Sequence, residues 1–170
     1  TEHTALVRQV TEDAKSWPVL EGPRVFYTGA EQEDTSLYEK IEAQGMVIVG
    51  EDTNWGDRYY NRDYNLDYPA TRALVDRYML REFSAKKAFV SQRVEALDRE
   101  VDETKAGAVI FYTNLYDEVA TWDIPNQKKS LDSRGIASCV FGKMLWPVVK
   151  NEGLNERLAA FAKELKGGDQ

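Results

Sequence analysis

AVIFYTNLYDEVATWDIP, residues 108–125, is the stretch on which the fold reading turns. Val109, Ile110, Phe111 and Tyr112 follow one another without a polar interruption. A strand with one wet face would alternate. An unbroken apolar run predicts a strand inside a parallel sheet, covered on both sides. Immediately after it the chain turns polar and acidic. Open α/β sheets hold ligands at the carboxyl ends of their strands, so residues 114–118 are the first place to look for a site.

Working outward, three further short apolar runs stand at RVFY (24–27), MVIV (46–49) and IASCVF (136–141). Segments with helical spacing separate them. Leu6, Val10 and Ala14 recur at that spacing, and Pro18 ends the segment. Asp34 or Thr35 caps a short helix with Leu37 and Ile41 inward, closed by Gly45. Asp67 and Pro69 open another, whose expected buried stripe is Leu74, Val75, Tyr78 and Met79. A helix from Ser84 to Lys105 is expected to bury Val90, Val94, Leu97 and Val101, and Gly107 stops it. Another is expected from Pro125 to Ser133, and the last places Leu154, Leu158, Phe161 and Leu165 on one face. Residues 53–68, with Trp55, Tyr59, Tyr60, Tyr64 and Tyr68 among Asn and Asp, fit neither period and read as a long ordered loop.

Strands alternating with helices imply right-handed crossovers and a parallel sheet. The predicted fold is a three-layer α/β/α domain with a four-stranded parallel sheet of flavodoxin-like order 2-1-3-4, residues 1–170 forming one α/β domain. The net charge of −7 opposes a nucleic-acid role, which calls for a basic footprint. The single cysteine, Cys139, forbids an internal disulfide and agrees with a reducing, cytoplasmic compartment. No apolar run approaches the roughly 20 residues of a membrane span. The chain opens on Thr1 rather than Met, which points to a fragment of a longer protein or to a processed one.

If the sheet is parallel, its strand exits share one rim. That rim gathers Thr28 and Gly29, then Asp52, Asn54 and Trp55, then Asn114, Asp117 and Glu118, then Lys143. Close carboxylates raise one another's pKa or recruit a hard cation. The commoner role of acids at strand ends is to cap helices and hold loop amides, and both readings stand at this stage. Gly29 belongs to no dinucleotide or phosphate-loop pattern. His3 and Cys139 assemble no nucleophile–base pair and no zinc pattern, so no metal ligand is named.

Three segments resemble the 2-hydroxyacyl-CoA dehydratase and benzoyl-CoA reductase family: RVFYTGA with DTSLYEKIEAQGMVIVGED, then GDRYY (56–60), then AVIFYTNLYDEVATWDIPNQKKSLDSRGI (108–136). They look like its last α/β domain, as in the D-component of 2-hydroxyglutaryl-CoA dehydratase. The resemblance implies a longer subunit and a second homologous subunit. It also implies an ATP-dependent activator that donates one electron, and an acyl-CoA thioester dehydrated or reduced through a radical. A [4Fe-4S] cluster held by cysteines comes with it. The positions matching those cysteines are Asn54 and Asp117, and neither supplies a thiolate.

The leading expectation is therefore a domain of such a subunit, inactive in isolation. A second is a structural or regulatory paralogue without a cluster, working beside a cluster-bearing subunit. A third is an unrelated small-ligand-binding α/β module.

Overall fold

A computed structural model describes residues 1–53, 63–79 and 89–167. Its strands are β1 (Arg24–Gly29), β2 (Val47–Glu51), β3 (Ala108–Asn114) and β4 (Ala137–Met144). The described helices are α1 (Glu2–Ala14), α2 (Ser36–Glu42), α3 (Ala70–Met79), α4 (Val90–Thr104), α5 (Glu118–Ser133) and α6 (Leu154–Gly167). The strands pair in the order β2-β1-β3-β4, and every pairing is parallel. The expected order 2-1-3-4 is the one observed.

The pleat sorts the apolar runs into two cores. Val25 and Tyr27 of β1 and Ala108, Ile110 and Tyr112 of β3 face one side, where Leu37 and Ile41 of α2 and Leu154, Leu158 and Phe161 of α6 cover them. Phe26, Val109 and Phe111 face the other, under Leu97 and Val101 of α4 and Leu131 of α5. Both faces of β1 and β3 are thus dry, which is why their sequences do not alternate. Each fully buried large side chain contributes about 1.5–3 kcal/mol from removal of apolar surface.

Three helix readings need correction. First, α5 begins at Glu118 rather than Pro125, because Asp117 caps it. Pro125 then sits inside the helix, where its missing N–H costs one backbone bond; packing against the sheet outweighs that local signal. Second, in α3 the expected stripe of Leu74, Val75, Tyr78 and Met79 is exposed, and Ala73 and Arg77 are buried instead. The helix turns a mixed face inward, one small apolar residue and one arginine, which an apolar-spacing rule does not detect. Third, in α4 the buried set is Arg93, Ala96, Leu97 and Val101, so Val90 and Val94 fall outside it. The true stripe runs at i, i+4 and i+8 through an arginine. Ser84 lies outside the described residues. Helix α1 forms as expected, with Thr1 as its cap, and buries none of its residues.

Candidate functional site at the carboxyl rim

All four strands run out on one side of the sheet, ending at Gly29, Glu51, Asn114 and Met144. Two irregularities shape that edge. In β2 the register against β1 slips between Val25 and Phe26, so Ile48 faces Val25 while Gly50 faces Phe26. In β4 the register against β3 slips between Tyr112 and Asn114, whose partners are Phe141 and Met144. Bulges of this kind re-aim side chains at a sheet's rim. The second leaves Gly142 and Lys143 opposite Thr113, with Lys143 in the left-handed region at φ 58° and its N–H 3.4 Å from Thr113 Oγ1.

The slip in β2 decides where its two acids go. Successive residues of a strand point to opposite faces. Glu51 turns to the α2 side and accepts a 2.6 Å hydrogen bond from the Tyr38 hydroxyl. Burial first, then that hydrogen bond and the carboxylate charge, push the Tyr38 hydroxyl far above its ordinary pKa, so it stays a donor. Asp52 turns to the α4 side, where its Oδ2 lies 3.5 Å from Arg93 Nη1. Arg93 Nε lies 3.3 Å from Oδ2 of Asp123 on α5. The Arg93 and Asp123 side chains are only 5% and 8% exposed, which makes this a desolvated ion network and not a surface pair. Burial raises the Asp123 carboxyl; Arg93 opposes the rise, and the Asp52 and Asp117 carboxylates add to it. Gln127, one turn further along α5, has its amide nitrogen 3.5 Å from the Arg93 carbonyl.

Asp117 accepts from the Ala120 N–H at 3.1 Å through Oδ1, and its carbonyl accepts from the Thr121 hydroxyl at 2.5 Å. It is the N-cap of α5, the capping role that acids at strand ends commonly take. Asp117→Ala should cost about 1 kcal/mol of stability, the usual value for a lost cap. Urea denaturation of the two proteins checks it. Glu118 is exposed in the first turn of the same helix, where its charge suits the helix dipole.

Thr28 is buried, and beside Gly29 the chain stays close to β3: the Ala30 N–H donates to the Tyr112 carbonyl at 2.7 Å. Asn114 is half-buried at the end of β3 and Lys143 is exposed. Asn54 and Trp55 lie outside the described residues, as do Tyr59 and Tyr60 of the aromatic stretch. Around the β3 and β4 exits the surface is apolar: Tyr116 is 89% exposed, Trp122 77% and Trp146 44%. Trp122, expected to anchor a helix start, instead stands outward from the second turn of α5.

The rim thus divides into polar links inside and aromatic surface outside. Among the described residues no three His, Cys, Asp or Glu side chains converge as a metal-binding group. The one thiol, Cys139, pairs in register with Ile110 within the body of the sheet, and burial pushes its pKa up. Arg93, Asp123 and Gln127 were not among the residues read from the sequence. A signal for them existed. Arg93, Leu97 and Val101 share one helical face, as do Asp123, Gln127 and Leu131, so each inward stripe starts polar at its rim end.

A family model described as 2-hydroxyglutaryl-CoA dehydratase, D-component, matches residues 1–165. The chain belongs to this family. A curated relative is the (R)-phenyllactyl-CoA dehydratase beta subunit of Clostridium sporogenes. It is 28% identical over 138 residues, covering 79% of this chain and 37% of the relative. This D-component-family chain therefore spans little more than a third of that relative's length. Across the matched region the D-component domain carries no cysteine at the exits of β2 or β3, and its donors there are amides, carboxylates and a guanidinium. That set does not fit an all-thiolate iron–sulfur cluster. No described helix is long and apolar enough to cross a membrane.

Proposed function

We propose that the chain is the α/β domain of a D-component-type subunit in a multi-subunit 2-hydroxyacyl-CoA dehydratase. The observation that carries this reading is the family match over residues 1–165, across both cores and the whole rim. The name of the relative, a dehydratase beta subunit, supports a complex of unlike subunits. In this reading the substrate is an acyl-CoA thioester with a hydroxyl at C2, and the overall reaction removes water. The partner is a homologous subunit that brings the redox centre, with an ATP-dependent electron donor acting on that partner. The rim around Asn114, Tyr116, Trp122, Lys143 and Trp146 is the face turned toward substrate or partner.

The test uses the full-length subunit expressed with its genomic neighbour subunit and activator. Expected is ATP- and reductant-dependent conversion of a 2-hydroxyacyl-CoA to the enoyl-CoA, lost when this subunit is omitted. Absence of conversion across aliphatic and aryl 2-hydroxyacyl-CoA substrates, in a complex that assembles with intact cofactors, refutes the reading.

A second reading, a structural or regulatory paralogue without a cluster, draws on one observation: Asp117 is engaged as a helix cap where the family resemblance places a thiolate. It predicts that the complex converts substrate at an unchanged kcat without this subunit, and only its assembly or melting temperature suffers.

A further inference from the structure

We propose that the ion network Asp52–Arg93–Asp123 takes over, in this chain, the mechanical task of a metal cluster: tying the exit of β2 to the structure that follows β3. The inference rests on family membership and not on the proposed reaction, and its readouts require no activity.

Placement comes first. Asp52 is the residue directly after β2, two before Asn54. Asp123 is six residues after Asp117, in the second turn of the helix that Asp117 caps. The two carboxylates therefore belong to the two strand exits at which the resemblance puts cluster cysteines. Between those exits lies β1, since the sheet order is β2-β1-β3-β4. The exits of β2 and β3 are joined only indirectly, through the ladders each makes with β1 and the bonds from the Asp52 N–H to the Tyr27 carbonyl and from the Ala30 N–H to the Tyr112 carbonyl. The network adds a direct side-chain tie across β1.

Chemistry comes second. A guanidinium keeps its charge at any working pH and presents separate N–H edges in a rigid plane. Here Nε addresses Asp123 at 3.3 Å and Nη1 addresses Asp52 at 3.5 Å, with the Arg93 side chain 5% exposed. An arginine buried to that degree must have carboxylate partners, and its two partners come from different strand exits. A third element, α4, holds the hub: Arg93 sits one turn before Leu97, whose side chain is fixed in the core. The Gln127 amide beside the Arg93 carbonyl adds a further α4–α5 tie. The seam's other end is also polar, with Arg134 bound to Asp98 at 2.9 Å and to Asp102, but those groups are partly exposed and join only α4 to α5. Of these two clusters, the Arg93 hub is the one that reaches a strand exit.

The competing description is a buried arginine that merely fills space between two helices. The full-length chain separates the two. Arg93→Met keeps most of the volume and strands two carboxylates. It should lower Tm by roughly 6–20 °C, the shift expected for breaking a buried ion pair in a domain of this size. Hydrogen exchange should accelerate together at residues 50–53 and 118–124, while residues 156–165 of α6 keep their protection. Arg93→Met and Asp123→Asn should be strongly non-additive in Tm, because they break one network. Wild-type protein from iron-depleted and iron-replete cultures should melt at the same temperature. If Arg93→Met does not fold, Arg93→Lys serves: one ammonium cannot span both carboxylates in the same plane, so exchange should rise at least at one exit and Tm should fall. Additive Tm shifts, unchanged exchange at both exits in the variant that folds, or a wild-type Tm that falls on iron depletion would each overturn the proposal.

Discussion

Gly29→Ala should be among the most damaging single-methyl additions possible in this chain, with a loss of about 3–5 kcal/mol or failure to accumulate as folded protein. Two independent penalties meet there. The residue has φ +124°, a conformation that L side chains avoid. A Cβ at that position would also stand 2.1 Å from the Tyr112 carbonyl oxygen. Tyr112 cannot retreat, because its other side is paired with Phe141 of β4, and the Ala30 N–H is bound to the same carbonyl. Strained φ/ψ and overpacking each cost roughly 1–3 kcal/mol. Gly135→Ala provides the control. It has φ +71° but nothing within 4 Å of the added carbon, so its cost should be the conformational one alone, about 1–2 kcal/mol. Guanidinium denaturation of both variants gives the comparison; equal losses would show that the Tyr112 contact does not matter.

Phe26→Ala is the second large effect, with an expected loss of about 3–5 kcal/mol. Phe26 is fully buried in the core shared with Leu97, Val101, Phe111 and Leu131. Its ring lies over Gly50: a Cβ built on Gly50 would stand 3.0 Å from Phe26 Cε2 and 2.8 Å from Thr104 Cγ2. Gly50 is thus the reason that β2, the Phe26 ring and the end of α4 pack so closely. Gly50→Ala alone should destabilise by about 1–3 kcal/mol through overpacking. In the Phe26→Ala background the ring contact is gone and only the flexible Thr104 contact remains, so Gly50→Ala should then cost markedly less. A double-mutant cycle in urea measures the coupling. Simple additivity would mean that the ring and the glycine do not share a contact.

The same close packing explains which parts of the fold could be read in advance. VFY and VIFY announced themselves because the central strands β1 and β3, covered on both faces, have no wet positions to break the run, while MVIV and ASCVF belong to the half-buried edge strands β2 and β4. The amphipathic face of α6 was legible for a related reason: Leu154, Leu158 and Phe161 meet a single apolar surface, so spacing alone identified them. Where a helix meets a mixed environment, spacing misled. The large side chains of α3 looked like a core stripe, and the structure buries Ala73 and Arg77. Arg93 and Asp123 occupied core-facing positions on α4 and α5, but charge in a sequence reads as surface unless its partner is already known. Pro125 masked the true start of α5, although Asp117 with the acidic residue after it is an ordinary cap sequence.

At the rim, the sequence by itself determined the candidates: parallel strands must exit on one side, so Thr28, Gly29, Asp52, Asn114, Asp117, Glu118 and Lys143 had to lie along one edge. It also determined the chemistry available there, since one cysteine within a strand leaves no thiolate at the exits. Tertiary structure decided what those residues do. The register slip in β2 sent Glu51 to Tyr38 and Asp52 to Arg93 on opposite faces. The slip in β4 set Lys143 at a bulge, and the start of α5 turned Asp117 into a cap. Burying an apolar face depends on a periodicity written along the chain, whereas pairing a charge depends on which distant residue is brought within about 3.5 Å, and only the packed sheet fixes that.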